Sequence, residues 1–138
     1  MIIDWRVIPH SEQAYETVGN YWEDGDTVHF RVSKLSDHRY EWLIFLHEFA
    51  EYFLGKFMGV RIEDIDAFDA AYEKARAQKS AHAPCGCKIQ EEPGFDRHAP
   101  YRWQHYTADM IERLACSLLN VDWVAYEKEV DALYLPTD

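Results

Sequence analysis

Apolar and polar residues alternate in twos along the first third of the chain. Ile3, Trp5 and Val7 are interleaved with Asp4 and Arg6, and Val28, Phe30 and Val32 with His29, Arg31 and Ser33. This is the period of a strand with one buried face. Asp24-Gly25 just ahead of the second run is a tight-hairpin signal. The pattern predicts three short strands, near residues 2–8, 19–23 and 27–33, in a small antiparallel sheet whose strand order is not readable from the chain.

From Ser36 the period changes. At about 100° per residue, Leu43, Leu46, Ala50 and Leu54 project from one side of a helix over 36–59, and Trp42, Phe45, Phe49 and Phe53 from another. Only a narrow sector with Glu41, Glu48 and Tyr52 reads as polar, so this is expected to be the core helix. Ser36 or Asp37 offers its N-cap and Gly59 a left-handed terminus. A second helix over 62–78 buries Ile62, Ile65, Phe68 and Tyr72; Asp69 falls inside that stripe, and Asp66 and Glu73 border it.

Residues 79–99 break the pattern with Pro84, Gly86, Pro93 and Gly94, and are expected to form a mobile loop or lid. Pro100 suits the first turn of a third helix over 100–120, whose apolar arc of Trp103, Met110, Ile111, Leu114, Leu118 and Leu119 is expected to be buried. His105, Asp109 and Glu112 form a line along its border, continued by Cys116. A last helix over 121–134 carries Trp123, Val124 and Val130. The fold class is therefore α+β, an N-terminal sheet followed by a bundle of about four helices, in one domain of 138 residues.

Composition narrows the function. A hydrophobic fraction of 48% excludes disorder. The net charge of −11 argues against a nucleic-acid backbone or an anionic membrane as partner, while leaving a small-molecule or peptide substrate open. No stretch is apolar enough to span a bilayer, and Asp4 and Arg6 interrupt any leader-like run. Three cysteines, two of them one residue apart, do not suggest a disulfide framework, and a cytoplasmic setting is expected. The oligomeric state is left open.

The chemistry concentrates on the central helix. His47 and Glu51 are separated by four residues, so they share one face among apolar neighbours, where an ionised carboxylate must be paired, protonated or coordinated. A divalent metal answers both residues at once. If the central and third helices pack side by side, His105 or Glu112 supplies a third ligand, with Asp109 near. His82, Cys85 and Cys87 could form a small metal knuckle, lacking a fourth ligand unless His98 supplies it.

The run His47-Glu48-x-x-Glu51 resembles the zincin motif His-Glu-x-x-His, in which two ligands one turn apart hold zinc and the intervening Glu is the general base. The resemblance implies that His47 and Glu51 are ligands and Glu48 the base of a metal-dependent peptidase or amidase. Glu51 stands where that family has its second His; it remains a competent zinc ligand but opens the site to manganese, iron or magnesium. The strand before the helix is also shared with zincins, where its edge can hold an extended peptide. A second likeness is to all-helical nucleotide pyrophosphohydrolases, whose paired acidic motifs Glu48-x-x-Glu51 and Asp66-x-x-Asp69 are similar to and which hold magnesium between helices. The chain as a whole also looks like small proteins carried by bacteriophages and their bacterial hosts, which leaves a non-enzymatic binding role as a third reading.

Overall fold

The computed structural model describes residues 1–84, 86, 88 and 92–134. It contains β1 (Ile2–Ile8), β2 (Gly19–Asp24), β3 (Thr27–Ser33), α1 (His38–Phe57), α2 (Ile62–Ala77), α3 (Arg102–Leu118) and α4 (Trp123–Ala132). The class is α+β, as the patterning predicts. The chain divides into two compact units, Met1–Ala50 with Ala108–Asp138, and Glu51–Thr107. Among the described residues, no helix is long and apolar enough to cross a membrane.

In the first unit the strand order is β1-β3-β2. β2 and β3 form the expected hairpin, closed at Gly25 with φ +59°. β1 instead runs parallel to β3, pairing Ile2 with Thr27 and Ile8 with Ser33. The sheet is thus mixed where alternation suggested antiparallel. The reason is the link after β1: it opens with Pro9 and a 3-10 turn, His10–Glu12, and crosses the end of β3 instead of folding back as a hairpin. Gln13 anchors it by donating to the carbonyls of Val18 and Arg31. A period of two says which face a side chain takes, not which strand lies beside it.

The inner face of the sheet buries Val28, Phe30 and Val32. Phe45 of α1 stacks on Trp5 at 4.8 Å and meets Phe30 edge-on at 5.3 Å. Farther along, Leu43 and Ile44 join Val32, Leu35, Cys116 and Tyr126 in one core. Asp37 caps α1 by accepting from the Arg39 N–H at 2.8 Å. Gly59, with φ +76°, closes its other end, where the Val60 N–H reaches back to the Gly55 carbonyl.

The polar sector expected on α1 is largely inside. Glu41 is 1% exposed, while Trp42 and Phe53 are about half exposed. Glu41 is held by the Leu35 N–H at 3.1 Å, His38 Nδ1 at 2.8 Å and Lys34 Nζ at 2.9 Å. Burial works to raise its carboxyl, and these three partners outweigh that and hold it below its usual value.

The second unit has a smaller core of Ile65, Ala99 and Tyr101, against which Val60 and Phe68 pack. The segment expected as a bare lid contributes to it. Residues Pro93–Phe95 form a 3-10 turn, and Gly94, Asp96 and Ala99 are buried. Asp96 accepts from the His98 N–H at 2.8 Å and so turns the chain toward α3. Small residues here permit close packing as well as freedom. His82 bridges to Lys88; Cys85 and Cys87 of the proposed knuckle lie outside the described residues.

Candidate metal centre

α3 is amphipathic, but its faces are inverted relative to expectation. Tyr101, His105, Ala108, Glu112 and Cys116, spaced by four, three, four and four residues, are all buried. The apolar arc that was expected inside is outside, with Trp103, Met110, Leu114 and Leu118 between 62% and 79% exposed. The buried line therefore carries a histidine and a carboxylate, groups that are costly to desolvate without partners. Their partners come from α1.

In the first unit, His47 Nδ1 lies 2.7 Å from Glu112 Oε2, and the His47 side chain is 11% exposed. The other oxygen of Glu112 accepts a short hydrogen bond from the hydroxyl of Tyr126 on α4. Both carboxylate oxygens of Glu112 are thus engaged, which orients the imidazole of His47. Glu48 projects toward β2, where Gly19 makes room for it: a Cβ on Gly19 would stand 2.6 Å from Glu48 Oε1. Asp109 pairs with Arg113 one turn on at 2.9 Å.

In the second unit, the buried carboxylate of Glu51 meets His105, with Oε2 2.9 Å from Nδ1. The other ring nitrogen of His105 lies 2.9 Å from Glu92 Oε2. The turn that carries Glu92 is pressed onto the ring. A Cβ on Gly94 would come within 2.4 Å of His105 Cγ, and Phe95 meets the imidazole edge-on at 4.6 Å.

Asp69 accepts from the Tyr101 hydroxyl at 2.6 Å. Burial is the main force that pushes its carboxyl up, to about 7; the Tyr101 bond opposes this, and the charges of Glu51, Asp66 and Glu73 add to it. Asp66 is exposed on α2, and its carboxyl is raised by partial burial and by Glu63.

Of the residues singled out in the sequence, His47 is thus brought to Glu112, and Glu51 to His105. Asp69 has its own partner in Tyr101, while Asp66 and Asp109 join neither pair. Sequence reasoning missed Tyr126, Glu92, Tyr101 and the two close-approach glycines. Tyr101 stands four residues before His105, a spacing that could have flagged it; for Tyr126 and Glu92 the chain holds no local signal.

Chemically, each pair sets a carboxylate against an imidazole in a poorly hydrated setting. Such a pair is held by a shared proton, or yields that proton to a cation. His47 and Glu51 are one turn apart along α1, and imidazole and carboxylate are both good ligands for zinc. No protein-family description, curated protein or solved structure matches this chain.

Proposed function

We propose that the protein is a metal-dependent hydrolase of zincin type, acting on a peptide or other amide bond, in which His47, Glu51 and His105 hold a divalent cation, zinc by preference. The observation that carries the reading is the buried Glu51–His105 pair, 2.9 Å apart, with His47 one turn from Glu51 on the same helix. Two histidines and one glutamate are the donor set of many catalytic zinc sites, and they fit a cation better than a packing role does, since an apolar pair would fill the same space without the cost of desolvation. A cation bound by such a set supplies polarisation of the scissile carbonyl and acidification of water. The chain's own residues do the rest. Glu112 orients His47 through Nδ1 and is itself held by Tyr126. Glu48 would take the proton of the water that adds to the scissile carbonyl and hand it to the amine as the C–N bond breaks. The Glu51 carboxylate makes the site less selective than three histidines would, so manganese or iron can substitute.

The alternative use of the acids, with Asp66 and Asp69 as magnesium ligands, draws less support: Asp66 is exposed and Asp69 is engaged with Tyr101. Metal binding separates the two readings. Zinc titrated against the chelator-stripped protein, with a chromophoric competitor, should bind one equivalent per chain. His47→Ala, Glu51→Ala and His105→Ala should each weaken it at least about 100-fold, while Glu48→Gln and Asp66→Asn leave it unchanged and Glu112→Gln weakens it about 10-fold. Failure of the wild-type protein to bind zinc, manganese or iron would refute the proposal. Loss of binding in Asp66→Asn and Asp69→Asn, with His105→Ala unaffected, would favour the magnesium reading.

A further inference from the structure

We propose that the outer face of the sheet in the first unit carries a binding site for a small zwitterion, an α-amino acid with an apolar side chain. The inner face buries Val28, Phe30 and Val32 and packs on α1 through Phe45. On the other face, the strand register sets Arg6 of β1, Arg31 of β3 and Asn20 of β2 in one row. Strands about 4.8 Å apart keep these three side chains together. A cavity of about 300 Å³ is lined by this row, by Ile8 and Trp22 beside it, and by Glu12 and Gln13 of the link between β1 and β2. That volume is at the small end of ligand pockets, so it suits a single amino acid better than a larger molecule.

The polar groups of the cavity keep hydrogen-bonding capacity that the fold does not use. The amide nitrogen of Gln13 donates to the carbonyls of Val18 and Arg31 and approaches Ser33 Oγ at 3.1 Å, which settles which end of the amide is oxygen. That oxygen, Oε1, is buried and has no hydrogen-bond partner among the described residues. A buried acceptor without a donor is costly, and here it calls for an N–H. Glu12, next to it in the chain, adds a carboxylate, so an ammonium group is the donor that suits both.

The sheet side of the cavity has the opposite preference. Arg31 donates to the Asp4 carboxylate at 2.8 Å and to the carbonyls of Asp4 and Phe30. Arg6 gives the same carboxylate only its Nε, at 2.9 Å, and its terminal N–H groups have no partner among the described residues. Two guanidinium groups thus face one acid, and one positive charge is in excess, in a chain whose net charge is −11. Asn20 accepts from the Tyr15 hydroxyl at 3.3 Å, which leaves its amide N–H groups for another acceptor. A carboxylate meets Arg6 and Asn20 together. Trp22 is fixed as a wall by stacking on His29 at 5.0 Å and by the Arg31 guanidinium 5.1 Å from its ring. With Ile8 it favours an apolar side chain on the ligand. The site uses no residue of the candidate metal centre and goes beyond the hydrolase reading without resting on it.

Titration of the metal-stripped full chain with L-leucine and with L-phenylalanine, followed by ¹⁵N NMR, tests this. Saturable shifts are expected in the amides of β1, β2 and residues 9–18 and in the indole of Trp22, with α4 unmoved. N-acetyl-L-leucine lacks the ammonium and L-leucinamide the carboxylate, so each should bind at least about tenfold more weakly than L-leucine. Arg6→Gln should weaken L-leucine at least about tenfold and leave L-leucinamide unchanged. Glu12→Gln should weaken L-leucine and leave N-acetyl-L-leucine unchanged. A merely structural effect of either variant would weaken every compound alike. No saturable shift with either amino acid, equal affinity for the three leucine compounds, or variants that do not discriminate among them would each overturn the proposal.

Discussion

A carboxylate largely removed from water tends to keep its proton, and Asp69 is such a group. Its carboxyl is raised from an ordinary 3.8 to about 7, first by burial. Between those two values the folded protein holds a proton that the unfolded chain has released. Stability therefore falls as pH rises from about 4 to about 7 and levels off above. Asp69→Asn keeps an acceptor for Tyr101 and removes the titration. In the presence of a chelator, urea denaturation should show the variant more stable than the wild type by a few kcal/mol at pH 8, with the difference vanishing near pH 4. A difference independent of pH would mean that Asp69 is ionised in the fold. Glu41 shows the opposite outcome of burial, because Lys34, His38 and the Leu35 N–H surround it with donors. The two acids look alike in the sequence, and neither lies at a position whose neighbours in the chain announce its partners.

At the scale of elements, the turn Pro93–Phe95 earns its place by shape. Gly94 lies so close to the His105 ring that any side chain would collide with it. Gly94→Ala should push the turn away from the imidazole, separate Glu92 from Nε2 and cost about 1–3 kcal/mol of stability, the usual range for overpacking. Chemical denaturation measures the loss, and the His105 ring resonances in an NMR spectrum should shift with it. An unchanged midpoint and unchanged resonances would show that the turn has room to spare. Gly94 was legible only as a breaker of helical pattern, and the element boundaries were legible throughout: each of the seven regular elements starts and stops within about two residues of where periodicity, caps and Gly or Pro place it. Which face of α3 turns inward was not. Counting apolar residues favours burying Met110, Leu114 and Leu118, yet the fold buries His105 and Glu112, because specific partners on α1 and α4 compensate them.

For the molecule as a whole, the metal proposal makes folding and binding one equilibrium. A ligand that binds only the folded chain stabilises it by mass action, by about 2.7 kcal/mol at a concentration 100 times its dissociation constant. Saturating zinc should therefore raise the melting temperature of the stripped protein by several degrees, a shift that Glu51→Ala abolishes; an equal shift in both proteins would assign the stabilisation to zinc bound elsewhere. The sequence by itself determined the α+β class, the seven elements, and the His47–Glu51 spacing on a helix, since all of these follow from local periodicity and capping. It also brought His105 and Glu112 into consideration, as a line on one side of a helix. Only the tertiary structure decided the parallel placement of β1 beside β3, the inward turn of the polar line of α3, and the pairing of His47 with Glu112 and of Glu51 with His105. These depend on contacts between residues 25 to 65 positions apart, and local pattern carries no record of which distant donor a buried acid will meet.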